Sequence, residues 1–360
     1  MGIVSPYGVG NARFFDGLMA NESAIQVHDG LPIGKIPGVS PLVSHRFREV
    51  VALAFDAAAC DAGLSVDDLK EMAGWIGTAH GDLPRWETLG DSSSAVASLM
   101  ALGWQKDRMR VVSTACTSST IAIGLASQLI ATQRIQRAWV LGVDLLSGFI
   151  INGFQSLRAM SPDTCKPFDR NRNGLILGEG AGVLVLESEH ACQERRRTPY
   201  AWIKGFGNAL DAFHMTAPHP TGKGMLAAIG QALGEASLTP AAIGYINAHG
   251  TGTRLNDQME YMAFDALMRQ GLPPHTPMSG IKWAIGHTSG AAGILECAVS
   301  AVGVSGQHVP GIPTLQATDP GFPCLTVPRQ AIPMTHTTVL TVNAAFGGSN
   351  AALIVGRDVA

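Results

Sequence analysis

Short β-rich runs alternate with helical stretches along the chain, and this alternation confines it to a layered α/β architecture. Arg110–Ser113 leads into a helix predicted from about Thr117 to Gln133, and Ala138–Val143 and Ala181–Leu186 then read as strands. In the second half, Ile243–Ala248 is a strand ahead of His249, followed by a helix through Asp257–Met268 and a small-residue helix over Gly290–Val304. Val339–Asn343 and Ala351–Val355 read as a closing hairpin around Phe346-Gly347-Gly348-Ser349-Asn350. Cys116 and His287 each sit in a Ser/Thr/Gly-rich turn that opens a helix of small residues. A two-half architecture would bring those helix starts together over one site.

Composition narrows the function. Hydrophobic residues make up 46% of the 360 residues and charged ones only 15%, so much of the chain must be buried. A net charge of -3 gives no whole-protein reason to expect nucleic acid or an anionic membrane as partner. The apolar stretches, Ala181–Leu186 and Thr338–Val342 among them, fall far short of the ~20 residues a membrane span needs. The opening Met-Gly-Ile-Val-Ser-Pro-Tyr-Gly carries no export signal. Six scattered cysteines without a Cys-x-x-Cys pair point to a reducing compartment, the cytoplasm, and to neither a disulfide framework nor a zinc site. The run Arg195-Arg196-Arg197 reads as a solvated turn.

Four constellations carry chemistry. Cys116, in Thr114-Ala115-Cys116-Thr117-Ser118-Ser119, precedes a set of helix-starting residues. A thiol there meets the positive end of a helix dipole and free backbone N–H groups, which favour the thiolate and can hold an oxyanion. The other five cysteines keep the ordinary reading of small buried hydrophobes. His249-Gly250-Thr251-Gly252-Thr253 leaves a strand on a loop that a substrate can approach closely, with Asp257 and Glu260 just beyond. Lys282 and His287 share one small-residue loop, and Glu296, nine residues after His287, is a candidate buried counter-charge for the lysine. Phe346-Gly347-Gly348 can wall a pocket, although a Gly-Gly hairpin turn explains it equally well.

Together these residues resemble the β-ketoacyl-acyl-carrier-protein synthases, the elongating condensing enzymes of fatty acid and polyketide synthesis. The likeness also takes in Lys166–Gly174, Leu177–Gly182 and Asp211–Thr216, so it spans most of the chain. It implies a thiolase-like five-layer αβαβα fold built from two pseudo-symmetric halves, 1–208 with the nucleophilic cysteine and 209–360 with the two histidines and the lysine. It further implies that Cys116 accepts the acyl chain, that His249 and His287 stabilise the enolate left when a malonyl thioester loses CO2, and that Lys282 with Glu296 supports them. The N–H groups of Cys116 and Phe346 would form the oxyanion hole, with Phe346 the acyl gate, and Thr251 and Thr253 would contact phosphopantetheine. Two histidines match the elongating branch, since the initiating branch usually has Asn in place of one.

The implied reaction is a decarboxylative Claisen condensation with malonyl-acyl-carrier-protein, extending a fatty acid, polyketide or polyene chain by two carbons. It needs no metal or redox cofactor, because the substrates arrive on the phosphopantetheine of an acyl carrier protein. The implied assembly is a homodimer or a heterodimer with a related ketosynthase-like subunit. Two departures from the family stand out. The chain is shorter before Cys116, starting within what should be the first strand, with Gly30–Ser40 replacing a longer excursion, and Asn343-Ala344-Ala345-Phe346 lacks the usual Phe-containing pair before the gate. Both fit a specialised synthase of a secondary pathway as well as they fit a housekeeping fatty acid enzyme. Two other readings stand at this point: a non-catalytic chain-length-factor-like partner subunit, and a malonyl decarboxylase or acyl hydrolase on the same scaffold. Lys166, Arg170 and Arg172 are candidate carrier-docking charges, with solvated loop charges the plainer reading.

Overall fold

The computed structural model describes residues 1–90, 94–306, 308–334 and 336–357. Two mixed sheets organise them. The first contains β1 (Gly2–Ser5), β2 (Gly8–Val9), β3 (Ala73–Gly77), β4 (Met109–Val112), β5 (Arg137–Asp144) and β6 (Gly180–Glu187), in the order β2-β1-β6-β5-β3-β4. The second contains β7 (Trp202–Leu210), β8 (Tyr245–Asn247), β9 (Met278–Ser279), β10 (Thr338–Ala344) and β11 (Ser349–Gly356), in the order β9-β8-β10-β11-β7. The final hairpin pairs Thr338 with Gly356 through to Ala344 with Asn350, as its two apolar runs around a Gly-Gly turn predict.

The two sheets repeat one plan. In the first, β4, β3 and β5 run parallel while β6 and β1 run antiparallel to their neighbours. In the second, β9, β8 and β10 run parallel while β11 and β7 are antiparallel. The sheet changes at Trp202, a few residues ahead of the division at 208 read from the sequence.

Helices complete five layers. α1 (Val43–Ala62) covers the outer face of the first sheet. α2 (Ser118–Ala131) and α6 (Ala292–Val304) lie between the sheets, and α4 (Lys223–Glu235) and α5 (Arg254–Arg269) cover the second sheet. α3 (Gly148–Ser156) lies outside this stack and buries none of its residues. The central pair is built mostly of small and apolar residues with no strongly polar face, as suits helices sandwiched by sheets. Small residues set the closeness of approach. A Cβ on Gly293 would stand 1.9 Å from Thr120 Oγ1, and one on Gly77 would stand 2.4 Å from Ser119 Cα. Cys116, between β4 and α2, and His287, between β9 and α6, occupy equivalent places in the two repeats, so the central pair brings their loops together. No helix among the described residues is long and apolar enough to cross a membrane.

In the Arg195–Arg197 turn, Arg196 and Arg197 are exposed, as expected of a solvated turn, but Arg195 is not. Arg195 pairs with Glu187 at 2.6 Å and donates to the carbonyl of Ala62, clamping the end of α1 to β6.

Candidate active site

The turn before α2 presents Cys116. Ala115 takes φ of +52°, a region few side chains visit, and such strain gathers where a fold must aim a group. Ser118 stabilises the turn, its hydroxyl donating to Ala115 O (2.6 Å) and accepting from the N–H of Thr114 (3.0 Å). Among the described residues, no backbone carbonyl accepts from the N–H of Cys116 or Phe346.

His287 Nε2 lies 3.0 Å from Cys116 Sγ. Its Nδ1 accepts from the backbone N–H of Ser289 at 3.2 Å, so the neutral ring carries its proton on Nε2, facing the sulfur. The His249 ring stands edge-on to it, centroids 5.1 Å apart, with Nδ1 3.2 Å from the amide nitrogen of Asn343. Glu260 fixes the His249 loop by accepting from the N–H groups of His249 (2.7 Å) and Gly250 (2.8 Å). Lys282, in a one-turn helix Lys282–Ile285, donates to Glu296 Oε1 and to the carbonyl of His249, each at 2.5 Å. Glu296 Oε2 accepts from Asn343 at 2.6 Å.

Electrostatics leave this cluster uncharged at its centre. Burial, then the nearby Lys282 ammonium, holds the His249 and His287 rings well below the ordinary 6.5, and His287 adds to the effect at His249. Burial pushes the Cys116 thiol up to about 12, against the pull of Lys282 and with help from Asp144 and Glu296. The helix start expected to favour the thiolate is present, and enclosure of the half-buried cysteine works against it. Burial likewise raises Glu296, while Lys282 pulls it back.

One nitrogen of each ring and the Cys116 sulfur lie within 4.8 Å of one another, close enough to share a metal ion. The donor set argues against that use. A ligating imidazole normally donates its second N–H outward, whereas His287 Nδ1 accepts a hydrogen bond from the backbone N–H of Ser289.

A cavity of about 510 Å³ opens onto Cys116, His249 and His287, and Thr251, Thr253, Arg254, Asn173 and Phe346 also line it. The two threonine hydroxyls bond each other at 2.8 Å. Phe346 is exposed and stacks on Phe154 of α3, centroids 5.5 Å apart at 21°. Phe154 and Asn343 escaped sequence reasoning as site residues; the clue for Asn343 was its place three residues before Phe346. Asp257 does not reach the cavity. It accepts from Phe168 N (2.8 Å) and Gly252 N (3.2 Å), shaping the loop from behind together with Glu260. Arg172 is neither a docking charge nor a solvated one: it is buried, 2.5 Å from Asp319, with its guanidinium over the Phe322 ring. Lys166 pairs with Asp163 at 3.2 Å, and Arg170 is exposed.

Two family models match in succession, "Beta-ketoacyl synthase, N-terminal domain" over residues 53–191 and "Beta-ketoacyl synthase, C-terminal domain" over 200–316. The ketoacyl synthase alpha subunit of the tetracenomycin polyketide synthase of Streptomyces glaucescens is 32% identical, the match covering 99% of this chain and 96% of that one. The 3-oxoacyl-[acyl-carrier-protein] synthase 2 of Staphylococcus aureus (strain N315) is 30% identical over 86% of this chain and 81% of its own. Among solved structures, the ishigamide ketosynthase/chain length factor superposes with a TM-score of 0.88 at 27% identity, covering 99% of this chain and 98% of the other. A ketosynthase in complex with its chain length factor from Xenorhabdus doucetiae gives 0.83 at 28% identity, covering 99% and 96%.

Proposed function

The chain belongs to the β-ketoacyl synthase family, and from that premise we propose that Cys116 takes up the acyl chain while His249 and His287 generate the carbon nucleophile. The enzyme is a ketosynthase acyltransferase, condensing acyl units in fatty acid or polyketide elongation. The observation that carries the residue roles is the meeting of one thiol and two uncharged imidazoles at one cavity, with Sγ and Nε2 3.0 Å apart.

Cys116 attacks the incoming acyl thioester, and its proton ends on the departing carrier thiol. The N–H groups of Cys116 and Phe346 accept the tetrahedral oxyanion's charge as hydrogen-bond donors. A malonyl thioester then loses CO2, and its enolate oxygen receives the Nε2–H groups of His249 and His287. Neutral rings suit this step, because each Nε2–H donates a hydrogen bond to the enolate oxygen yet is too weakly acidic to give up its proton and quench the carbon nucleophile. The enolate carbon attacks the Cys116 thioester, the new carbon–carbon bond forms, and the sulfur leaves to regain a proton from solvent. Lys282 and Glu296 position the loop of His249, and Phe346 against Phe154 gates the acyl chain.

Thr251 and Thr253 line the cavity, where their hydroxyls would bond the amides of a phosphopantetheine arm, and a carrier-borne substrate is supported by the Staphylococcus aureus relative, a 3-oxoacyl-[acyl-carrier-protein] synthase. The two ketosynthase/chain length factor structures support a second subunit of the same fold. The open edge of β4, with Val111 about half exposed, and the uncovered Phe149 of α3 are surfaces for such a partner.

Mass spectrometry after incubation with acyl-carrier-protein tests the nucleophile. One acyl adduct is expected on the wild type and none on Cys116→Ala. A folded wild type that stays unmodified contradicts the assignment, and favours the reading as a non-catalytic partner subunit.

A further inference from the structure

Both imidazoles must carry their proton on Nε2 to donate to an enolate, yet an isolated histidine has two tautomers to choose from. His287 has its choice made by the backbone N–H of Ser289. At Nδ1 of His249 stands a side chain, the amide of Asn343, at 3.2 Å. An amide can present oxygen or nitrogen, and its neighbours decide which. Glu296 Oε2, 2.6 Å away, belongs to a carboxylate already bound by Lys282 through its other oxygen, so it accepts and the amide shows it N–H. On the opposite side Thr120 of α2 donates its hydroxyl to Asn343 Oδ1 at 2.5 Å. One N–H of Asn343 is thus spent on Glu296, and the second is aimed at His249 Nδ1. The reverse amide orientation would set oxygen against the Glu296 carboxylate, put the His249 proton on Nδ1, and turn a lone pair toward the enolate.

We propose that Asn343, fully buried on β10, is a positioning residue that keeps the proton of His249 on Nε2. The inference rests on the reading of His249 as an enolate donor. It separates the two half-reactions, because acyl transfer to Cys116 does not call on His249, whereas decarboxylation does.

The test combines 15N-histidine NMR with two assays, Cys116 acylation by mass spectrometry and CO2 release from malonyl-acyl-carrier-protein. Wild-type His249 is expected as the Nε2–H tautomer. Asn343→Leu, close in volume but without a donor, is expected to lose decarboxylation by about a hundredfold while acylation stays within about threefold. Asn343→Asp adds a signature that a merely structural residue would lack. Its carboxyl can donate to Nδ1 while protonated and only accept once ionised, so decarboxylation falls as pH rises through that titration while the wild type shows no such limb. A wild-type ring protonated on Nδ1 overturns the proposal, as does a folded Leu variant with undiminished CO2 release. Should both variants fail to fold, the wild-type tautomer alone decides. A wild type that has the Nε2–H tautomer but neither acylates nor decarboxylates upholds the positioning and sinks the functional reading instead.

Discussion

His287 and His249 face one thiol from two loops, and the fold holds them by different means. The loop after β9 supplies a backbone N–H to His287, a donor present whatever side chain follows. The loop after β8 supplies none at His249 Nδ1, and a side chain 94 positions away in sequence stands there instead. His287 also touches the Cys116 sulfur directly, whereas His249 is tied into the Lys282–Glu296–Asn343 network. A role written into the backbone tolerates substitution nearby; one written into a buried polar network depends on every member being satisfied.

The largest effects test that division. His249→Ala and His287→Ala should each lower decarboxylation by about 10²–10⁴-fold, as lost acid–base partners do. Only His287→Ala should also slow acylation of Cys116, read from the time course of the acyl adduct; equal slowing in both would erase the distinction. Next comes the network. Lys282→Met strands the buried Glu296 carboxylate and should cost about 3–5 kcal/mol in urea unfolding. Unchanged stability would mean that no charge needs compensating there.

A smaller effect is expected from pH. Both ring pKa values are depressed in the folded state, so their contribution to stability is present above 6.5 and is lost as pH falls below it. Each histidine steepens the loss of stability on acidification in that window. Asp257 and Glu260, pushed up to about 6 and about 8, slope the opposite way. Comparing wild type with His287→Asn by urea midpoint cancels their share, and the variant should lose stability less steeply on acidification. The smallest effect belongs to Ser289→Gly. Ser289 has φ of +48°, which glycine accepts readily, and the N–H to His287 is kept, so condensation should stay within about twofold. A loss as large as that expected for Asn343→Leu would end the claim that the backbone does the holding.

Much of this site was legible in the sequence because its reactive groups sit on loops directly after strands. Cys116, His249 and His287 were readable from local motifs, Lys282 from the small-residue loop it shares with His287, and Glu296 as a candidate counter-charge on the helix that follows. The equivalent placing of Cys116 and His287 was visible as two similar turns, although the shared strand order behind it emerges only from the pairing of strands. What escaped was decided by enclosure. The raised thiol of Cys116 depends on what surrounds it, not on its neighbours in sequence. Arg172 looked like a loop charge, and only the fold places it beneath Asp319 and against Phe322. Asn343 stood within a quoted motif, yet its role needs Thr120, Glu296 and His249 brought together from three other segments.

The central claim is that two neutral histidines make the carbon nucleophile independently of the thiol. It is tested most directly by CO2 release from malonyl-acyl-carrier-protein on Cys116→Gln. The account expects a folded variant that forms no condensation product yet releases CO2 and leaves acetyl-acyl-carrier-protein. A folded Cys116→Gln that leaves the malonyl thioester intact would contradict it.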